Sequence, residues 1–198
     1  MTKKRRNVFV AMLTSQSPLY FSNRFDSVAH QQWAGAVKQR SAFALIALGA
    51  GANRRYLLQW NENWRMYNLI GGKMDNGKGD DNSFLRTIGR ELEEETGLGV
   101  AKDCQIGREM LQLEMRQYSR REKRMKEYQF VVFEVSLFPQ LALDAQQLNN
   151  TLKWFSTGRS NVMVTLAEIE NLMTVNNKPI SPTTHYILQE LGHFSAQA

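Results

Sequence analysis

The sequence predicts an α/β (α+β) domain built on a mixed sheet, and three observations carry that prediction. Apolar runs of strand length are interspersed with longer amphipathic stretches of helical period. Glycine- and asparagine-rich breaks, such as Gly49-Ala50-Gly51-Ala52-Asn53, separate the runs where tight turns are needed. The chain has 198 residues, 42% of them hydrophobic, enough to bury one real core. Interspersed strands and helices exclude a helical bundle.

Residues 1–40 read as an accessory segment and 41–198 as the main domain. Within the segment, Asn7 to Leu13 is a strand candidate. Phe25 to Lys38 is a helix candidate, with Phe25, Val28, Ala29, Trp33, Ala36 and Val37 on its apolar side. Ala42 to Leu48 and Arg55 to Trp60 read as a hairpin around the glycine-rich break. Trp64 to Ile70 is the next strand and runs into Gly71-Gly72. Gln105 to Tyr118 and Glu127 to Phe138 are longer strands, followed by a short one at Thr151 to Ser156. Leu166 to Met173 and Thr183 to Leu191 read as helices, the second capped by Ser181 with Pro182 at its first position.

Composition narrows the chemistry. Cys104 is the sole cysteine, so a disulfide within the chain and a multi-thiolate zinc site are both excluded. Three widely separated histidines, His30, His185 and His193, argue against a histidine-based metal site. Hard cations held by carboxylate oxygens remain. The formal charge of +6 suits an anionic partner such as a nucleotide, a phosphorylated metabolite or RNA. No apolar run reaches the roughly 18 to 20 residues of a membrane span. Lys3, Lys4, Arg5 and Arg6 precede an apolar stretch, Val8 to Leu13, that is too short for a secretory core. A cytoplasmic protein with no membrane partner is the expectation.

The informative stretch is Gly71 to Leu98, GGKMDNGKGDDNSFLRTIGRELEEETGL. Its second half predicts a helix over residues 83–96, with Asp81 or Asn82 as N-cap and Gly97 as a left-handed C-cap. Leu85, Ile88 and Leu92 form the apolar stripe of that helix. Glu91, Glu94 and Glu95 stand three and four residues apart, which places their carboxylates in one patch beside the stripe. Arg90 lies one turn before Glu94 and can pair with it. Acids crowded near a helix C-terminus oppose the macrodipole, and a divalent cation would relieve them. Magnesium takes oxygen ligands from one or two carboxylates, waters and substrate phosphates. A solvated acidic face with Arg90 as a local partner is the alternative that the helix alone leaves open.

The loop before the helix adds to the case. Gly71-Gly72, then Gly77 and Gly79, let backbone approach a ligand closely. The whole segment resembles the Nudix box: a glycine, a spacer, a glutamate, seven residues, then Arg-Glu-aliphatic-x-Glu-Glu-x-Gly-aliphatic. Arg90, Glu91, Leu92, Glu94, Glu95, Gly97 and Leu98 fill the second half without a gap, and Gly72 matches the first glycine. The resemblance spans about Ser41 to Leu191, with only the box specific. It implies an α/β/α sandwich around a mixed sheet, the box forming loop–helix–loop. It implies hydrolysis of a phosphoanhydride bond in a nucleoside diphosphate linked to another moiety, dependent on magnesium, with manganese as a substitute. Carried over, Glu91, Glu94 and Glu95 are the metal-binding and base-providing acids. Arg90 holds them by ion pairing, and the Gly72 carbonyl faces the metal.

Two departures stand out. Asn82 occupies the position of the box's glutamate counted back from Arg90, and the spacing from Gly72 is four residues longer than the pattern. Counted forward from Gly72, the same position falls on Lys78. A lengthened loop over residues 76–81 is the expectation, with Asp80 or Asp81 replacing the missing acid. The departures keep alive a nucleotide-sensing module without turnover, and the basic charge keeps alive an RNA-end pyrophosphohydrolase. Arg120, Arg121, Lys123, Arg124 and Lys126 are candidate phosphate contacts, and Asp144 is a candidate acid from a later loop. Trp60, Trp64, Tyr67 and Trp154 are candidate base-stacking residues. Residues 1–40 are a candidate homodimer surface.

Overall fold

The computed structural model describes residues 8–11, 21–22, 37–119, 124–138 and 161–194. Nine strands form one mixed sheet: β1 (Val8–Ala11), β2 (Phe21–Ser22), β3 (Val37–Leu48), β4 (Arg55–Asn61), β5 (Met66–Asn68), β6 (Ile70–Lys73), β7 (Cys104–Ser119), β8 (Arg124–Leu137) and β9 (Asn161–Thr165). Among the described residues three α-helices accompany them: α1 (Phe84–Thr96), α2 (Leu166–Glu170) and α3 (Pro182–Glu190). The strand path is β2-β1-β7-β8-β3-β4-β5, with β6 added on β3 and β9 on β4.

β3 organises the sheet. It runs parallel to β8 from the Val37–Lys126 pair to Ile46–Val135. On its other side, Ser41 to Ala44 pair antiparallel with β6, and Ala47 and Leu48 pair with the start of β4. Its sequence alternates between two cores, as period two requires. Ala42, Ala44 and Ile46 pack with Ile88, Leu92 and Leu98 on the α1 side. Phe43 and Leu45 pack with Ile169, Ile187 and Leu188 of α2 and α3 on the other. A strand buried on both faces reads as a continuous apolar run, which is why Ala42 to Leu48 shows no polar alternation. The layers are helix, sheet, helix.

Several expected elements change at their ends. Val37 and Lys38 open β3 and do not close a helix, because their backbone pairs with Lys126 and Glu127 of β8; residues 25–36 lie outside the described residues. The strand expected over Trp64 to Ile70 is divided. Trp64 and Arg65 belong to a turn, with Arg65 at φ 54°. β5 then pairs with β4 and β6 with β3, so the chain changes partner at Leu69. There the Leu69 N–H donates to Thr184 Oγ1 at 3.2 Å. α2 stops at Glu170, short of Met173, as Leu172 turns left-handed at φ 55°. Its start is a capping box between Thr165 and Glu168. Ser181 caps α3 through Thr183 N, with Pro182 at the first helical position. The strand expected at Thr151 to Ser156 lies outside the described residues.

The apolar stripe of α1 is also shifted. Ile88 and Leu92 are fully buried, but Leu85 is 53% exposed, and Thr87 is buried instead. Thr87 turns inward because its hydroxyl donates to Asp80 Oδ2 at 3.0 Å. Leu92→Ala is therefore expected to lower stability by about 3 kcal/mol, the range for a buried leucine truncation. Leu85→Ala should cost under about 1 kcal/mol, as exposed sites do. Urea denaturation of the two variants tests this, and equal losses would contradict the placement.

Candidate active site

The site is assembled where β6 enters the loop before α1. Gly71 sits at φ 144°, and a side chain there would overlap the Ala42 carbonyl across the strand pair. Only glycine allows β6 to lie against β3 in this way. At Gly72 the conflict is with the helix: a Cβ would fall 2.5 Å from the Glu91 carboxyl carbon. Glu91 thus fills the space that the missing side chain leaves. Glu95, one turn later, accepts from the Gly71 N–H through Oε2 at 3.3 Å. Both carboxylates are buried against β6, at 9% and 8% exposure. The Gln59 amide of β4 donates to the Glu95 carbonyl at 2.9 Å and ties down the end of α1. Gly97 closes the helix at φ 74°.

Arg90 is the centre of the polar network. Its Nε and Nη2 donate to Asp80 Oδ1 and Oδ2, both at 2.9 Å, in a bidentate pair. Nη2 also donates to the Lys73 carbonyl at 3.1 Å. Nη1 donates to Glu91 Oε1 at 2.8 Å and to Glu94 Oε2 at 3.1 Å. A guanidinium has five N–H donors, and these bonds use all of them. Asp80, 1% exposed, accepts further bonds from Asp75 N at 2.7 Å and Thr87 Oγ1 at 3.0 Å. The Arg90 hydrogen bonds hold the Asp80 carboxyl well below the usual carboxylate range, and Asp80 in turn raises Arg90.

Asp80 therefore takes the place of the acid expected before the helix. Asn82 makes a loop contact instead: its N–H donates to Asn76 Oδ1 at 2.8 Å, and its carbonyl accepts from Arg40 Nη2 at 3.2 Å. Asp81 pairs with Arg86 on the surface. Neither Asp81 nor Asn82 is the N-cap, because both adopt left-handed φ values of 47° and 59°. Ser83 caps α1 by accepting from Arg86 N.

The third glutamate is placed differently from the other two. Glu94 is 43% exposed, and the Lys78 ammonium donates to both its oxygens, at 3.0 and 3.1 Å. That bond lowers the Glu94 pKa, whereas burial raises that of Glu91 against the pull of Arg90. Lys78 belongs to a single 3-10 turn, Asn76–Lys78, whose start is fixed by Gly77 N donating to Asp75 Oδ1 at 2.9 Å. The contribution of Lys78 went unread in the sequence, although its place six residues after Gly72 was the available signal.

The donors suit a hard divalent cation. They are carboxylate and backbone oxygens, the set that magnesium prefers, and Glu91 brings its oxygens against bare backbone at Gly72. As the side chains lie, no three Asp, Glu, His or Cys groups among the described residues are gathered to hold a metal. Glu94 is held on Lys78 and Arg90. The chemistry of the donor set fits such an ion, while Arg90 holds Glu91 and Glu94 as the side chains lie.

Of the other candidates, Arg120, Arg121, Lys123, Asp144 and Trp154 lie outside the described residues, as does the side chain of Arg124. Lys126 is half-buried on β8, with Nζ 3.5 Å from Gln39 Oε1. Tyr67 is a core residue at 8% exposure, edge-on to Trp60 at 5.1 Å. Trp64 is 55% exposed in the β4–β5 turn.

Strand β6, the glycine-containing loop and the capped helix α1 together bring Glu91 and Glu95 onto the Gly71-Gly72 backbone. The fold as a whole is the Nudix hydrolase fold. The Ap4A hydrolase of C. elegans matches it with a TM-score of 0.50 at 13% identity, covering 81% of this chain and 99% of that one. NrtR of Shewanella oneidensis matches with a TM-score of 0.50 at 15% identity, covering 78% of this chain. This chain spans 61% of the length of NrtR. No protein-family model and no curated protein matches the sequence. No helix among the described residues is long and apolar enough to cross a membrane.

Asp80→Asn is expected to cost about 2 kcal/mol at pH 7, because it weakens a buried charge-assisted pair while Arg90 keeps Glu91 and Glu94. The folded-state Asp80 pKa is depressed, so its stabilisation is complete above the ordinary carboxylate value of about 4. It is lost as pH falls toward the folded value. Denaturant titrations should show the gap between wild type and variant narrowing below pH 4. A gap independent of pH would refute the pairing.

Proposed function

We propose that the chain is a magnesium-dependent hydrolase of a phosphoanhydride bond in a nucleoside diphosphate linked to another moiety. The observation that carries this reading is the seating of Glu91 and Glu95 of α1 on the Gly71-Gly72 backbone, with Arg90 locked behind them. Glu91, Glu94, Glu95 and the Gly72 carbonyl are the groups that would hold the metal. When bound, magnesium offsets charge developing on phosphorus and lowers the pKa of a coordinated water. Arg90 is a positioning residue: it fixes Glu91 and Glu94 from behind, with every donor already used. A carboxylate of the trio accepts the proton of the attacking water as the P–O bond to the leaving group breaks. The glycines keep side chains away, so the pyrophosphate can approach the helix.

A structural relative named as an Ap4A hydrolase supports a nucleotide substrate. The pairing of Asp80 with Arg90 supports a box-like site despite Asn82, and turnover itself separates the hydrolase from a purely sensing module. The RNA-end reading rests on Arg120 and Arg121, which lie outside the described residues.

Incubation with magnesium and a panel of dinucleotides, nucleoside-diphosphate sugars and nucleoside triphosphates should release a phosphorylated product from at least one member. Glu94→Gln should fold normally and lose turnover about 100-fold or more, the usual scale for a catalytic acid or base. Unchanged turnover in that variant would remove Glu94 from the site. Nucleotide binding without product in the intact chain would favour the sensing reading.

A further inference from the structure

Lys78 stands where the box pattern, counted forward from Gly72, has an acid, and its ammonium touches both oxygens of Glu94. The loop that carries it is anchored on both sides. Asp75 accepts from Gly77 N, Asn76 is bonded to Asn82, and Asp80 is buried on Arg90. The backbone therefore keeps Lys78 at the mouth of the site, leaving only its four-carbon stem free to move. The Lys78 side chain is 52% exposed and that of Glu94 43%. A pair this open is worth roughly 0.2 to 1 kcal/mol, so a bound divalent ion and its polyphosphate would readily outcompete it. Arg90 differs here, because its donors are committed and it is 14% exposed.

We propose that Lys78 is a two-position cation: it rests on Glu94 when the site is without metal, and turns to the phosphate oxygens of the substrate once metal claims that carboxylate. The proposal rests on the metal site proposed above and adds a substrate-binding residue to it. The lysine then has two opposing effects. It competes with the metal for Glu94, and it helps to hold the polyanion. An inert surface lysine would have neither.

The test uses the full chain and two binding measurements by calorimetry, neither dependent on turnover. The probes are manganese alone, and then α,β-methylene-ADP in saturating manganese. Lys78→Met should bind manganese about threefold more tightly, the scale of one exposed ion pair. The same variant should bind the nucleotide analogue at least fivefold more weakly, and Lys78→Arg should restore wild-type behaviour in both. If Lys78→Met leaves either affinity unchanged while wild type binds manganese, the two-position role is wrong and the metal site stands. If wild type fails to bind manganese at millimolar concentration, the metal site and the lysine role fall together. Circular dichroism of the variants separates any loss of folding from these outcomes.

Discussion

Everything at the site depends on one guanidinium and the carboxylate behind it. Arg90 reaches back to Asp80 and the Lys73 carbonyl, and forward to Glu91 and Glu94. These bonds connect strand, loop and helix through one rigid planar fork. Without it, the glutamates of α1 would crowd the C-terminal half of a helix whose dipole disfavours them. Like charges one turn apart would add to that cost. The Asp80–Arg90 pair is buried, so its attraction is little screened, and breaking it leaves Arg90 with only the glutamates it faces. A lysine would not substitute, because it lacks the fork geometry that grips Asp80 while still facing the glutamates.

The division of the three glutamates follows from where α1 meets the sheet. Glu91 and Glu95 point inward to β6, where Gly72 leaves room for the Glu91 carboxylate and the Gly71 N–H donates to Glu95. Glu94 lies beyond that contact, more exposed and within reach of the loop. Two acids are thus fixed by packing, and the third is held by Lys78 and Arg90 at a more exposed position. Buried donors beside one more exposed donor suit a site that takes up a metal and a polyanion together.

Helix periodicity places residues 91, 94 and 95 on adjoining turns without reference to the rest of the fold, but the expected single patch of three carboxylates is divided, with Glu91 and Glu95 turned to β6 and Glu94 to Lys78. Caps at Gly97 and Ser181 were legible for the same local reason. Features set by distant pairing were not. The break at Leu69 exists because β5 and β6 choose different partners, and nothing in Trp64 to Ile70 announces that. β9, a five-residue strand, is defined by its pairing with β4 and went unread. Asp80 was one of two adjacent candidates, and only the backbone turn at Asp81 and Asn82 decides that Asp80 faces Arg90. Leu85 looked like core by spacing, but it faces outward while Ile88 and Leu92 are fully buried.

The central claim is that the α1 glutamates hold a divalent ion against a pyrophosphate. Crystals of the full chain grown with manganese and a non-hydrolysable dinucleotide, measured for anomalous scattering, address it most directly. The account predicts an anomalous peak within coordination distance of Glu91, Glu94 and Glu95, with the pyrophosphate on its open side. A map with no peak at α1, and Glu94 still held by Lys78 beside a bound nucleotide, would contradict it.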